Sequence, residues 1–151
     1  MVMNEEVIST LNDLIETCKD GQKGYQTAAE AVDRSDLKSL FANFSQQRAK
    51  FLGELQQEVR AIGGDPEQSG SVTGTLHRGW INIKQAVAGK NEKAIISECE
   101  RGEDAAVSNY QEALESELPA NILALVQQQY SEVMAAHDRI RSLEIAAGKG
   151  A

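Results

Sequence analysis

DLKSLFANFSQQRAKFLGELQQEVRAI, residues 36–62, sets Leu37, Leu40, Phe44, Phe51, Leu55, Val59 and Ile62 at helical spacing, with Phe41 and Leu52 widening the same face. Steps of three and four are the period of an α-helix that turns one apolar side inward. The vacant step between Phe44 and Phe51 falls on Arg48, a guanidinium on an otherwise apolar line. At about 1.5 Å per residue such a helix is about 40 Å long and needs a partner of similar length to cover that side.

The partner lies immediately upstream. Between about Asn4 and Asp33, Val7, Leu11, Leu14, Cys18, Tyr25, Ala28 and Val32 form a second stripe, with Gly21 at its remaining step. The connector is Arg34 and Ser35, with Ser35 placed to cap the second helix. So short a link predicts an antiparallel helical hairpin. Downstream, GGDPEQSGSVTG at 63–74 gathers glycine, proline and small polar residues, and there the chain must turn. A short helix is expected from about Thr75 to Ala88, with Leu76, Trp80, Ile83 and Val87 on one side; Gly89 and Lys90 end it and Asn91 caps the next helix.

The third long segment, about Glu92 to Glu117, aligns Ile96, Cys99, Ala106, Tyr110 and Ala113 or Leu114, with Glu103 at the vacant step. Pro119 suits the first turn of a last helix running to about Ala147. Its stripe reads Ile122, Val126, Tyr130, Val133, Ile140 and Leu143 or Glu144, with His137 on the same line, and 148–151 read as a frayed tail. The first two long helices are joined tightly, as are the last two. The long middle connection allows a crossover that returns the chain to its starting end, making the second and third long helices parallel. An up-down-up-down order with the short helix across one end is the alternative; the crossover is favoured because Trp80 and its apolar neighbours need a groove to cover. The fold expected is therefore all-α, a four-helix bundle with an extra short helix in the crossover, in a single domain over 1–151.

Composition limits function. A net charge of −8 lacks the basic field that nucleic acid or an anionic membrane requires. The amino terminus, MVMNEEVIST, has no basic region leading into an apolar run, and nothing approaches a membrane span, so cytoplasm is the expected location. Cys18 and Cys99 stand apart rather than in a C-x-x-C; both read as small buried residues, with a disulfide between them left open. There is no phosphate loop, Gly-x-Ser-x-Gly or Ser-x-x-Lys.

The chemistry that remains is in the polar residues on the stripes: Arg48, Glu103 and His137, each near the middle of its helix. A charge there is expensive unless paired. Bundle di-metal sites use a glutamate from each of two helices and a Glu-x-x-His from each of the others, and no Glu-x-x-His occurs in this chain. A guanidinium has no lone pair to give a cation. The expectation is an internal Arg48–Glu103 pair with His137 or Tyr110 as a further hydrogen-bond partner, and no metal, cofactor or catalytic residue. Trp80 is read as packing or interface, His77 as a boundary histidine, and Tyr25, Tyr110 and Tyr130 as core residues with internal hydrogen bonds. The competing reading is a reduced metal site around Glu103 and His137.

GYQTAAEAV at 24–32, LFANFSQQRAKFLGEL at 40–55, GSVTGTLHRGWINIKQAV at 70–87, ECERGEDAAVSNYQEAL at 98–114 and QQQYSEVMAAHDRI at 127–140 resemble a ferritin-like bundle. More closely, the chain is similar to a family of small bacterial four-helix-bundle proteins known only as a domain of unknown function. The resemblance implies the ferritin-like helix order. Metal-bearing ferritin-like proteins place Glu-x-x-His in the second and fourth helices; alignment by the aromatic pattern sets Arg48 on that glutamate and Phe51 on that histidine, while Met134 stands three before His137. The expected function is a non-enzymatic structural, stress-associated or protein-interaction role, with a homo-oligomer or another protein as partner. A metal-dependent oxidase or metal-binding protein is the alternative.

Overall fold

Helices α1 (Asn4–Ala31) and α2 (Ser35–Ala61) run antiparallel in the computed structural model, which describes residues 4–66 and 79–149. Ser45 donates from α2 to the Gln22 carbonyl at 2.8 Å, and Lys38 to the Ala29 carbonyl at 3.0 Å, so numbering rises along one helix as it falls along the other. Helix α3 (Ile83–Ala88) is short, and α4 (Glu92–Glu115) and α5 (Ala120–Lys149) form the second long pair. Against α1, Tyr110 of α4 meets Cys18 and Glu103 meets Tyr25, so α4 also opposes α1. Two helices that each oppose α1 are parallel to each other. The crossover therefore carries the chain from the end of α2 back to the other end of the bundle, and the fold is the ferritin-like order.

The apolar stripes meet in two core clusters. One gathers Val7, Leu11, Leu14, Cys18, Phe51, Leu55, Tyr110, Val126 and Val133; the other gathers Tyr25, Phe41, Trp80, Ile95, Cys99 and Ile140. Each fully buried aliphatic or aromatic side chain contributes about 1.5–3 kcal/mol relative to exposure, so these stripes carry the fold. No helix among the described residues is long and apolar enough to cross a membrane.

Local punctuation differs from expectation at several points. Ser35 is the first residue of α2 rather than its cap; Arg34 occupies the cap position, makes no side-chain cap bond and reaches Asp36 and Glu92 instead. Asn91 does cap α4, its side chain accepting from the Ala94 N–H. Pro119 sits just ahead of α5, where its carbonyl accepts from the Leu123 N–H at 2.8 Å. Gly63, at φ 85°, closes α2: its N–H bonds the Arg60 carbonyl and the Gly64 N–H bonds the Val59 carbonyl, the paired closure that a left-handed residue permits. Gly148 and Lys149 are helical, continuing α5 into the stretch expected to be a tail.

The largest departure is in the crossover. Of the helix expected from Thr75 to Ala88, residues 75–78, His77 among them, lie outside the described residues; among the described ones Ile83–Ala88 are helical, and Trp80 is not but adopts φ 72°. The one-sided apolar spacing suggests a helix because Trp80 and Ile83 do point the same way. They are brought there by an irregular turn. Trp80 lies between α1 and α4, and a Cβ on Gly24 or on Gly102 would overlap its indole. Gly79 packs so closely on α4 that a Cβ there would meet the backbone of Arg101 and Gly102.

Candidate functional site

Arg48 and Glu103 meet at the centre of the bundle. Arg48 Nη2 stands 2.7 Å from Glu103 Oε1 and 2.9 Å from Oε2, with only the second contact directed as a hydrogen bond. The side chains are 2% and 0% exposed, so water cannot share the charge. Arg48 Nε also donates to Gln47 Oε1 at 3.2 Å. Gly21 makes room for the arginine: a Cβ there would lie 3.3 Å from Arg48 Cγ.

The third member is Tyr25, not His137 or Tyr110. Its hydroxyl donates to Glu103 Oε2 at 2.6 Å, and its ring lies under the guanidinium, with 5.7 Å from Arg48 Cζ to the centroid. Burial disfavours the arginine's charge, but the Glu103 carboxylate outweighs it and holds Arg48 above its usual range. Burial, then the charge of Glu103, pushes the Tyr25 phenol well above its ordinary value. The pair therefore remains an ion pair with a neutral phenol donor.

Tyr110 belongs to a second buried network. It donates to Gln129 Oε1 at 2.7 Å, which leaves the Cys18 thiol to donate to the Tyr110 oxygen across 3.4 Å. Gln129 Nε2 then donates to the Phe51 carbonyl and to Glu54 Oε1. Both cysteines are free, in different core clusters, which excludes a disulfide between them. Burial pushes the Cys18 thiol up to about 11 and Cys99 well above its usual value, which favours the protonated thiols while both stay in the closed core.

His137 is at the rim between α4 and α5. Its Nε2 lies 2.7 Å from Asp104 Oδ1 and its Nδ1 3.3 Å from Asp138 Oδ1. Glu103 faces Arg48 and Tyr25 in the core while His137 faces Asp104 and Asp138 at the rim, so the two residues on which the metal reading rests are not brought together. Among the described residues no group of three or more His, Cys, Asp or Glu is placed to hold a metal ion. Trp80 is 8% exposed and packs inward rather than offering an interface.

On the same rim the Glu100 carboxyl is raised from 4.5 to about 7, first by the hydrogen bond it shares with Glu144, then by burial and by the charges of Glu144 and Asp104, against Arg141. His137 is also raised: burial opposes its charge, and the hydrogen bonds to Asp104 and Asp138 outweigh that. Both groups bind a proton more tightly in the folded chain. Their stabilisation is complete below the unfolded pKa and lost as pH rises through the folded one. The melting temperature is expected to fall as pH rises from 4.5 through about 7, the range set by Glu100, with His137 extending the fall upward, and Glu144→Gln to flatten it. Scanning calorimetry across the range checks both; a midpoint that rises with pH would contradict the arrangement.

The family model described as a domain of unknown function (DUF2383) matches residues 6–116. The chain belongs to this family. The DUF2383 match includes Tyr25, Arg48, Trp80 and Glu103 and both glycines that flank the indole, and it ends before α5, which carries Gln129 and His137. The central pair and its tryptophan cover thus lie within the DUF2383 segment, whereas the rim has only its α4 residues, Glu100 and Asp104, inside it. No curated protein matches the chain.

Proposed function

We propose that this DUF2383 protein is a non-enzymatic helical bundle with a structural or protein-interaction role, of the stress-associated kind, in a bacterial cytoplasm. One observation carries the reading: a guanidinium occupies the centre of a ferritin-like bundle and neutralises Glu103 at 2.7 and 2.9 Å. Arginine gives no lone pair to a cation and stays charged, so the centre is spent on joining α2 to α4 rather than on holding a ligand. The partner in this reading is another protein, first of all a second copy of the chain.

Thermal melting with added iron(II) or manganese(II) tests the chemical half. The midpoint is expected not to move; a metal-dependent rise that Glu103→Gln abolishes would restore the metal reading. Sedimentation velocity tests the other half. A concentration-dependent larger species is expected, and a monomer throughout, with nothing copurifying, would remove the support for an interaction role.

A further inference from the structure

The long helices hold one another through their stripes, whereas residues 79–88, the described part of the crossover, rest on them through a small set of contacts. Trp80 fills the slot that Gly24 and Gly102 leave, Gly79 rests on the backbone of α4, and the Asn82 N–H donates to Glu98 Oε2 at 2.6 Å. In α3 only Ile83 is buried, and Ile81 beside it is 80% exposed. The indole stands edge-on to Tyr25, 4.8 Å between centroids, and so covers the Tyr25–Glu103–Arg48 cluster from the crossover side. At φ 72° Trp80 occupies a region that bulky side chains avoid, and such strain persists only where the surroundings enforce it. Beside the indole, Asp20, Lys23, Gly24, Ile81 and Lys84 help line a groove of about 690 Å³.

We propose that residues 79–88 are a latch whose tryptophan plugs the Gly24–Gly102 slot, and that its local opening, with the four long helices intact, admits water and small solutes to the buried polar cluster. Opening gives up one indole, one isoleucine, the partial burial of Ala86 and Val87 and the Asn82–Glu98 hydrogen bond, and releases the backbone strain. Separating the helices gives up both cores. The smaller loss sets the more frequent event.

The full-length protein supplies its own reporters. Cys99 shares the core cluster of Trp80 and Cys18 lies in the other, both 0% exposed. In native-state hydrogen exchange the Asn82 amide is expected to exchange at least roughly tenfold faster than the slowest α1 amides, with little dependence on denaturant. A small thiol reagent, with sites read by peptide mass, is expected to modify Cys99 before Cys18. Glu98→Ala removes the acceptor for Asn82 and is expected to speed Cys99 labelling several-fold with Cys18 unchanged; if that variant does not fold, the two measurements on the unaltered chain still decide. Asn82 exchanging in step with α1, or the two cysteines reacting together, would overturn the latch.

Discussion

Arg48→Met is expected to destabilise the protein by about 3–5 kcal/mol, and Arg48→Met with Glu103→Leu to recover most of that loss. The first substitution leaves a carboxylate at 0% exposure with Tyr25 as its remaining donor, and such a charge has neither water nor a counter-ion. The second removes the charge altogether and replaces a pair whose desolvation offsets much of its attraction with side chains that pack. For a chain of this size about 2–4 °C accompanies each kcal/mol, so the single variant should melt roughly 6–20 °C lower. Denaturant titration of the two single variants and the double variant gives the coupling directly. If Arg48→Met costs less than about 1 kcal/mol, the pair is relieved by solvent and the centre is not sealed as described.

The parts of this arrangement legible in sequence are those that a one-dimensional period can carry. Arg48 and Glu103 both fall on vacant steps of apolar stripes, and two opposite charges at matching heights in a bundle have little choice but to meet. The partner of that pair is less visible, because Tyr25 fits a stripe equally well as packing. In α5 the apolar line through Tyr130 and His137 is displaced in the structure to Gln129 and Ala136. At each ambiguous step the helix turns the smaller or hydrogen-bonded residue inward: Gln129 is satisfied by Tyr110, Phe51 and Glu54, whereas the Tyr130 hydroxyl reaches Gln111 and His137 reaches Asp104. Hydrophobicity alone ranks tyrosine above glutamine and cannot anticipate that the neighbours supply three partners for an amide. The carboxylate of Glu98, buried against the Asn82 N–H, carries no signal in the sequence, since its partner comes from an irregular turn. The same turn explains why the spacing around Trp80 suggests a helix: spacing records which residues share a side, not the backbone that takes them there.

Gly102→Ala tests that turn from the side of the helix. In a helix interior the change would ordinarily stabilise by about 0.8–1 kcal/mol, because alanine has less backbone freedom to lose. Here the new methyl would fall within the Trp80 ring, against Cε2, Nε1 and Cζ2, and the ring is a rigid body rather than the yielding end of a flexible chain. The backbone of Gly79 closes the same spot, so the helix cannot shift outward. Trp80 must therefore leave. Losing the burial of a tryptophan costs about 3–5 kcal/mol, and after the helical gain a net loss of about 2–4 kcal/mol is expected. Trp80 is the chain's one tryptophan, so its emission should move to longer wavelength in the variant while far-ultraviolet dichroism keeps the long helices. In a Trp80→Ala background the clash is gone, and Gly102→Ala should become neutral or stabilising. A latch that opens locally adds a limit: the expelled ring and the open latch are the same state, so Gly102→Ala cannot destabilise the helices by more than the free energy of opening. A loss equal to that measured by exchange at Asn82 would join the two observations; an unshifted emission spectrum in Gly102→Ala would show that the indole does not occupy the slot between the glycines.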